Sequence, residues 1–579
     1  MNLSRLKPII TNLTEYFGLA AEAESVSTTR AIDQISTGAT TPLSNYLSYR
    51  YFDEAKELFI GDDNACGFML EISPIVGVDD SLIKNLSYFF NDELPEHSYL
   101  QFLLVASHDV EDILSNRQKS RTNPSPILKK ITEKRAEFIR ERATDFGTSD
   151  GRIARDYRIF VSFSKILDAK HEGLQGVAAF KAQFINKLQS VRLAPKTCDA
   201  SDLIALVRTM LQPELKSNFE LNSDLNSDLN LSLGYGYKNK AAYDPKTPLS
   251  EQILAQNYVQ QINKYEIKHI SADLTSACYH IEELPMNFSL LQTIDLLGCG
   301  VRSSMGIAAR FIISYTVASN ISNAGRYSIV ARNRKVIDFA EGLSKNDSIL
   351  KKEADELQDI NDRSSKGERF LSEHWQLSLT STTDTIDIVG QNLVNLYDGN
   401  GFKLAIIKNL QLPSLLSMLP LQQGVMWDIL DKFKLTRLVL SKEVIARLPI
   451  HAEWKGVPKS GMLLHGRRGQ LFNFNPFYKI NSGNYNICIF APAGSGKKVF
   501  LQELAVSLTA QNTKIFILDI DRSFANICGL LEGETVKFDS KTRVNLNPFT
   551  SFHIDMNLDD KEELLESVES LIETMCEVG

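Results

Sequence analysis

The stretch "YNICIFAPAGSGKKVFLQEL", residues 485–504, joins an apolar run to a helix-like segment through a glycine-rich turn. The apolar run at 485–490 predicts a strand, and the segment after the turn predicts a helix with one apolar face. The turn itself consists of Ala491, Pro492, Ala493, Gly494, Ser495, Gly496, Lys497 and Lys498. Strand, glycine-rich turn and helix in this order resemble the phosphate-binding loop G-x-x-x-x-G-K-[ST], which indicates an α/β fold.

The chemistry of such a loop shows which of its residues matter. Glycines let backbone N–H groups converge on phosphates, the lysine reaches the outer phosphates, and the Ser/Thr hydroxyl ligates magnesium. Gly494, Gly496 and Lys497 keep the glycines and the charge, whereas Ala491 replaces the first glycine and Lys498 replaces the hydroxyl residue. The loop therefore predicts weak or vestigial ATP binding with magnesium in doubt. The alternative is a glycine-rich turn that binds nothing.

The helix after the loop and the apolar run that follows it complete this part of the pattern. Val499, Leu501, Leu504, Ala505 and Leu508 are expected to form the buried face of the helix. The run "TKIFILDIDRSF" at 513–524 predicts another strand that ends in Asp519 and Asp521. These carboxylates could serve the magnesium side of a nucleotide site, or they could cap the next helix.

Composition restricts the class of protein. A chain of 579 residues suggests about three or four domains. The net charge of −8 argues against a protein that coats nucleic acid, and no sequence-specific nucleic-acid binding is expected. Seven scattered cysteines without a C-x-x-C pair predict neither a zinc site nor disulfides. The most apolar stretch, 306–318, contains Arg310 and is too short to span a membrane, so a cytoplasmic location is expected.

Most of the chain before the loop reads as a mixed α/β region. Residues 66–107 predict strand, helix and strand, 127–146 a charged helix, and 157–167 a further strand. Leu350, Ala354 and Leu357 predict an exposed, projecting helix within 335–362.

Two further segments define the predicted domain organisation. The repeat "LNSDLNSDLN" begins a low-complexity linker at 221–246, which lacks the ligand series of a calcium loop. A domain boundary is predicted near residue 455, which separates an N-terminal region, 1–455, from a nucleotide-binding region, 456–579.

Several stretches together resemble one protein family. "GRRGQLFNFNPF", the loop stretch, "FILDIDRSFANICGLLEGETVKF" and "NLNPF" follow one another as they do in TraC-like proteins, the ATPases of conjugative type IV secretion systems. "NACGFMLEI", "NDELPEHSYLQFLL" and "LQLPSLLSMLP" in the N-terminal region are also similar to that family.

The resemblance implies a docking region for the secretion channel followed by a RecA-like motor that assembles as a hexamer. Inner-membrane channel and pilus-assembly proteins are the implied partners, and the implied location is peripheral on the inner membrane. Gly494, Gly496 and Lys497 match the family's loop, and Asp519 and Asp521 lie on a strand that is not its Walker B strand. After 545–549 the sequence offers one amphipathic helix at 559–579, which suggests an incomplete motor domain.

Two functions therefore compete. The first is a secretion ATPase, catalytically impaired by its altered loop, that powers pilus assembly and substrate or DNA transfer. The second is a scaffold that docks on the secretion machinery and hydrolyses nothing. An unrelated nucleotide-binding regulator is a third alternative. No catalytic residue is assigned by the sequence.

Overall fold

The computed structural model describes residues 43–577 apart from 63, 145–152, 168–172, 214–242, 255–259, 271, 286–287, 300–305, 344–347, 459–460, 479–483, 521 and 538–557. The chain divides into two compact units. One comprises Met1–Ile489 with Ala510–Asn512, and the other comprises Phe490–Thr509 with Thr513–Gly579. This division follows residue 489, whereas the sequence predicts a domain boundary near residue 455, which stays a prediction. Most of the predicted linker at 221–246 lies outside the described residues.

The first unit contains both single strands separated by helices and strands that follow one another directly. They are β1 (Tyr49–Asp53), β2 (Leu58–Gly61), β3 (Ala65–Ile72), β4 (Ser98–Ser107), β5 (Asp156–Ile166), β6 (Lys196–Thr197), β7 (Gln260–Ile262), β8 (Ile267–His269), β9 (Leu274–Glu283), β10 (Arg310–Ala318), β11 (Phe370–Thr382), β12 (Lys403–Ile406), β13 (Arg437–Leu440), β14 (Met462–His465) and β15 (Leu471–Phe474).

The helices belong to both units. The first unit contains α1 (Asp80–Tyr88), α2 (Glu111–Ser120), α3 (Pro126–Thr144), α4 (Leu174–Ser190), α5 (Ala200–Leu211), α6 (Leu249–Ile253), α7 (Asn323–Leu343), α8 (Ser348–Ser365), α9 (Ile386–Gly399), α10 (Gln411–Met418), α11 (Gln423–Lys432) and α12 (Ser441–Ala446). The second contains α13 (Lys497–Thr509), α14 (Ala525–Leu530) and α15 (Leu558–Glu577). Short 3₁₀ turns at Leu43–Tyr46 and Leu290–Leu297 and a π turn at Phe89–Glu93 complete the described set.

One antiparallel sheet organises the first unit. Its main path runs β1-β2-β3-β5-β4-β10-β11-β9-β8-β7, with β6 beside β3, β12 beside β9 and β13 beside β11. β10 contains most of 306–318, the most apolar stretch of the sequence. All nine residues of β10 are buried. It pairs with β4 on one side and β11 on the other. An apolar run buried on both faces is what a central strand requires.

The order of elements in the first unit occurs twice. A hairpin and a long strand (β1-β2-β3) are followed by α1, β4, a helix pair, β5, α4, β6 and α5. The second series runs β7-β8-β9, the 3₁₀ turn Leu290–Leu297, β10, a helix pair, β11, α9, β12 and α10. The two series meet at the antiparallel pair β4–β10, which has local two-fold symmetry. The first unit is thus a duplicated arrangement about this pair.

Both faces of the sheet are covered by helices. Leu100, Phe102 and Leu104 of β4 lie in one apolar cluster together with residues of α4 and α9. Leu103 and Val105 lie in a second cluster with residues of α5, α10 and α11. Side chains of a strand alternate between its two faces, so one strand supplies both clusters. The result is a helix–sheet–helix sandwich, and the predicted α/β class is confirmed.

Several predicted elements of the N-terminal region are confirmed. The strand, helix and strand predicted in 66–107 are β3, α1 and β4, and α1 begins where Asp79 accepts a 2.7 Å hydrogen bond from the Leu82 amide. The charged helix is α3, and the strand at 157–167 is β5. The helix predicted from Leu350, Ala354 and Leu357 is α8, and the first part of the range 335–362 belongs to the end of α7.

The strands predicted on either side of the loop helix are not formed by the described residues there. Residues 485–490 and 513–519 belong to no described strand or ladder. Phe490, Phe516, Leu518 and Ile520 are each at least 92% exposed. A strand needs a neighbour to pair its main-chain groups, and no described segment lies beside these residues to do so. "NLNPF" at 545–549 lies outside the described residues, whereas the predicted final helix is α15.

Candidate nucleotide-binding site

The glycine-rich turn takes the backbone conformation that its glycines allow. Gly494 and Gly496 have φ angles of +77° and +94°, a region that other residues rarely enter. A Cβ atom added at either position would meet no described atom within 4 Å. The need for glycine here is therefore conformational and not a matter of space.

Ala491 occupies the position of the first glycine in the phosphate-loop pattern. Among the described residues of the loop, only Gly494 and Gly496 have positive φ angles. Ala491 is half-buried and its backbone lies in the region open to all residues. The replacement of glycine by alanine at this position consequently introduces no backbone strain.

Short-range hydrogen bonds close the loop onto the start of α13. The backbone N–H and the hydroxyl of Ser495 donate to the Pro492 carbonyl at 3.3 and 2.7 Å. The Phe500 amide donates to the Gly496 carbonyl at 3.0 Å, and α13 begins at Lys497. Residues 492–498 are exposed. The helix N-terminus is therefore accessible to an anion.

Two adjacent cations stand at this helix N-terminus. Lys497 and Lys498 are the first two residues of α13, and both are exposed. The helix dipole makes the N-terminal end positive, so each lysine there is disfavoured by about 0.3–1 kcal/mol until an anion binds. The arrangement favours a ligand with several negative charges. Lys498 supplies no hydroxyl, so the loop lacks the side chain that ligates magnesium in the full pattern.

A hydrogen bond links a side chain of α13 to the backbone of the segment that follows this helix. The Gln502 side-chain amide donates to the Ser523 carbonyl at 2.9 Å. Asp519 accepts a 2.9 Å hydrogen bond from the Phe524 amide, directly before α14 begins at Ala525. The bond reaches the N-cap residue Phe524 and no N–H inside the helix, and α14 has no side-chain cap hydrogen bond, so Asp519 does not fill the capping role that the sequence left open. Asp521 lies outside the described residues.

The buried face of α13 differs from the predicted one at its first turn. Ala505 and Leu508 are buried as expected, and Leu501 and Leu504 are half-buried. Val499 is 68% exposed, which makes its predicted burial wrong. Val499 belongs to the first turn, where no described residue covers the helix. The sequence also missed the contact of Gln502, because a backbone partner 21 residues away leaves no local pattern.

Two properties of the described residues bear on the type of site. They include no group of three or more His, Cys, Asp or Glu side chains placed to hold a metal ion. None of the helices in the described ranges is long and apolar enough to cross a membrane.

Comparison with models of known protein families shows the family to which the chain belongs. Residues 43–422, more than half of the sequence, match the family model described as TraC protein. The chain belongs to the TraC family. Residues 471–577 match the TraG P-loop domain, a range that includes the loop at 491–498. It is thus a TraC-family type IV conjugation protein with a P-loop domain, as the sequence resemblance predicted.

A curated relative shows how far the similarity extends. Protein TraC of Escherichia coli (strain K12) is 23% identical over 571 residues. The alignment covers 92% of this chain and 60% of the relative. The chain therefore spans less than two thirds of the length of that relative.

Proposed function

We propose that this TraC-family chain binds ATP at residues 491–498 and serves as an ATPase-type subunit of a conjugative type IV secretion system. In this role nucleotide binding supports pilus assembly and the transfer of substrate or DNA. The observation that carries the proposal is the start of α13 at Lys497, directly after Gly494 and Gly496 in the positive-φ region. Backbone N–H groups, a helix N-terminus and an exposed lysine are then neighbours in the chain.

The residues of the loop fit the triphosphate of a nucleotide. The N–H groups around Gly494–Gly496 would hold phosphate oxygens, and Lys497 would neutralise the outer phosphates. Magnesium, when bound with the nucleotide, would supply positive charge that stabilises the transferring phosphoryl group. Because Lys498 stands where the hydroxyl ligand belongs, we propose weak, magnesium-independent ATP binding and impaired hydrolysis.

Nucleotide binding by the purified 579-residue chain tests the proposal. Titration with ATP, with and without magnesium, should show binding that Lys497→Ala weakens about 10- to 100-fold, since a hydrogen bond to a charged group contributes roughly 1.5–3 kcal/mol. Lys514→Ala is the matched control, because Lys514 is exposed in the same unit outside the loop. Absence of binding by the unmodified chain, or equal binding by Lys497→Ala, would refute the proposal.

A non-catalytic scaffold is the second candidate function, and Lys498 is the observation that favours it. The first unit would then dock on the secretion machinery while the loop binds nucleotide without turning it over. Phosphate release distinguishes the two. Turnover that disappears with Lys497→Ala identifies an ATPase, whereas binding without turnover identifies the scaffold.

The proposal extends to partners and location. We propose that residues 1–455 dock on inner-membrane channel and pilus-assembly proteins, that the chain forms a homo-oligomer such as a hexamer, and that it is cytoplasmic and peripheral on the inner membrane. Family membership supports these statements. Release of the chain from membranes by high salt or alkali is the expected result of fractionation, and a resistant fraction would contradict the peripheral location. Light scattering tests the oligomer.

A further inference from the structure

A two-helix hairpin extends from the sheet between β10 and β11. It consists of α7 and α8, and the 21 residues of α7 span about 31 Å. Side chains anchor its base, where Arg326 bonds to the hydroxyl and carbonyl of Ser364. Arg363 pairs with Glu368 and Glu443, each at 2.9 Å. The hairpin is therefore fixed to the body of the first unit.

Contacts between the two helices determine which side of α7 faces outward. Ile337 packs against Ala354 and Leu357, and the amide of Asn333 donates to Asn361 at 3.1 Å. Asn333 and Asn361 are both buried. A buried asparagine pair restricts the register of two packed helices. The opposite side of α7 is consequently held away from α8.

The outward side of α7 carries cations and apolar groups together. Arg332, Lys335, Val336 and Phe339 follow the i, i+3, i+4, i+7 spacing that places residues on one helix face. We call these four residues the α7 patch. All four are exposed, Val336 by 45% and Phe339 by 68%.

The α7 patch concentrates positive charge on an acidic chain. Within the described ranges, neither Arg332 nor Lys335 lies within ion-pair distance of a carboxylate. The chain as a whole carries a net charge of −8. An anionic partner is therefore attracted to this helix face while much of the remaining surface repels it.

The other half of the duplicated sheet offers a comparison. The equivalent helix pair, α2 and α3, buries Leu114, Ile139 and Ala143 against Leu463 and Leu471 of the β14–β15 hairpin. No described residue covers the α7 patch in the same way. The duplication thus contains one helix pair that is covered and one whose apolar residues remain exposed.

We propose that the α7 patch binds the surface of an anionic lipid bilayer. Phe339 and Val336 enter the boundary between headgroups and acyl chains, and Arg332 and Lys335 contact lipid phosphates. Basic and aromatic side chains on one helix face are typical of helices that lie on anionic membranes. The patch is the convex side of a helix and offers no groove for a peptide, so a flat surface fits it better. The inference deepens the peripheral location proposed above and rests on it.

Co-sedimentation of the full 579-residue chain with vesicles tests the inference. The chain should bind vesicles of phosphatidylcholine mixed with phosphatidylglycerol, and binding should fall in vesicles of phosphatidylcholine alone and at high salt. Each cation near an anionic surface changes affinity about fivefold, so Arg332→Ser with Lys335→Ser should weaken binding about 25-fold. Phe339→Ser should weaken it further. Lys351→Ser with Lys352→Ser, an exposed cation pair on α8, is the matched control and should bind like the unmodified chain.

Three outcomes would overturn the inference. One is the absence of binding to the anionic vesicles by the unmodified chain. Another is equal weakening by the α7 and α8 charge variants, which would indicate unspecific attraction. The third is a chain that fractionates with cell membranes through the α7 patch yet ignores vesicles, which would indicate an acidic protein partner. That third outcome leaves the peripheral location standing, and ATP binding at the loop is measured separately from all three.

Discussion

Arg447 donates hydrogen bonds from one nitrogen, Nη1, to both carboxylate oxygens of Glu373, each at 2.7 Å. Glu373 lies on β11 with its side chain 4% exposed, and Arg447 follows α12. The hydroxyl of Tyr315 on the neighbouring strand β10 donates to the same carboxylate at 2.6 Å. The carboxylate thus connects α12 to two central strands of the sheet.

We expect Glu373→Ala to lower the free energy of unfolding by about 3 kcal/mol, because it leaves the largely buried Arg447 guanidinium with only Glu443, 3.6 Å away, as a counter-ion. Urea denaturation followed by circular dichroism measures the change. The double variant Glu373→Ala with Arg447→Met should recover part of the loss, since it removes the buried charge that has lost its nearer partner. A single variant as stable as the unmodified chain would contradict this role of the pair.

Gly67→Ala should destabilise the sheet by about 3 kcal/mol. A Cβ atom at Gly67 would lie 2.0 Å from the Phe163 carbonyl oxygen and 2.7 Å from Cδ2 of Leu421. The carbonyl belongs to β5, which pairs with β3, so relief requires a shift of the ladder. Gly77→Ala is the control, because a Cβ atom there meets nothing within 4 Å and should change stability by less than about 0.5 kcal/mol. Equal thermal unfolding midpoints for the two variants would show the prediction to be wrong.

Two buried histidines should make stability depend on pH. Burial lowers the pKa of His269 to about 4, with a contribution from nearby Arg310, and burial lowers the pKa of His374 to about 4 as well. Between about pH 6.5 and pH 4, the two histidines are therefore protonated in the unfolded chain but largely neutral in the folded one. The unfolded chain binds more protons than the folded chain in this range, so the free energy of unfolding should decrease as the pH falls from about 6.5 to 4. The slope is at most about 1.4 kcal/mol per pH unit for each histidine.

Urea denaturation at several pH values between 7 and 5 measures this slope. The variant His269→Gln with His374→Gln should be less stable at pH 7, because buried contacts change, but its stability should fall less steeply with pH. An unchanged slope in this variant would assign the pH dependence to other groups.

Lys498→Ser should make nucleotide binding respond to magnesium. The hydroxyl restores the residue type that ligates the metal in the phosphate-loop pattern. We expect affinity for magnesium-ATP to rise about tenfold, which corresponds to ~1.4 kcal/mol. Lys498→Ala is the matched control, since it removes the same charge without supplying a ligand. Equal magnesium dependence of the two variants would rule out a ligand role for the hydroxyl.

The sequence by itself determined the elements whose signals are local. The apolar period of α3, the apolar runs of β3 and β5, and the glycines at 494 and 496 each depend on residues within a few positions of one another. The phosphate loop could be recognised for the same reason, because its chemistry needs consecutive backbone N–H groups at one helix N-terminus. The i, i+3, i+4, i+7 spacing of Arg332, Lys335, Val336 and Phe339 is equally local, whereas their exposure depends on what packs against α7.

Only the tertiary structure decided which apolar residues are covered and by what. Val499 carries the pattern of a buried helix face and is exposed, whereas Ser48 and Gln422 are buried together across 374 residues of sequence. The duplication about β4 and β10 likewise has no local signal, since it is a relationship between strand orders and not between sequence patterns. Burial and pairing depend on distant partners, and a local pattern contains no information about where those partners lie in space.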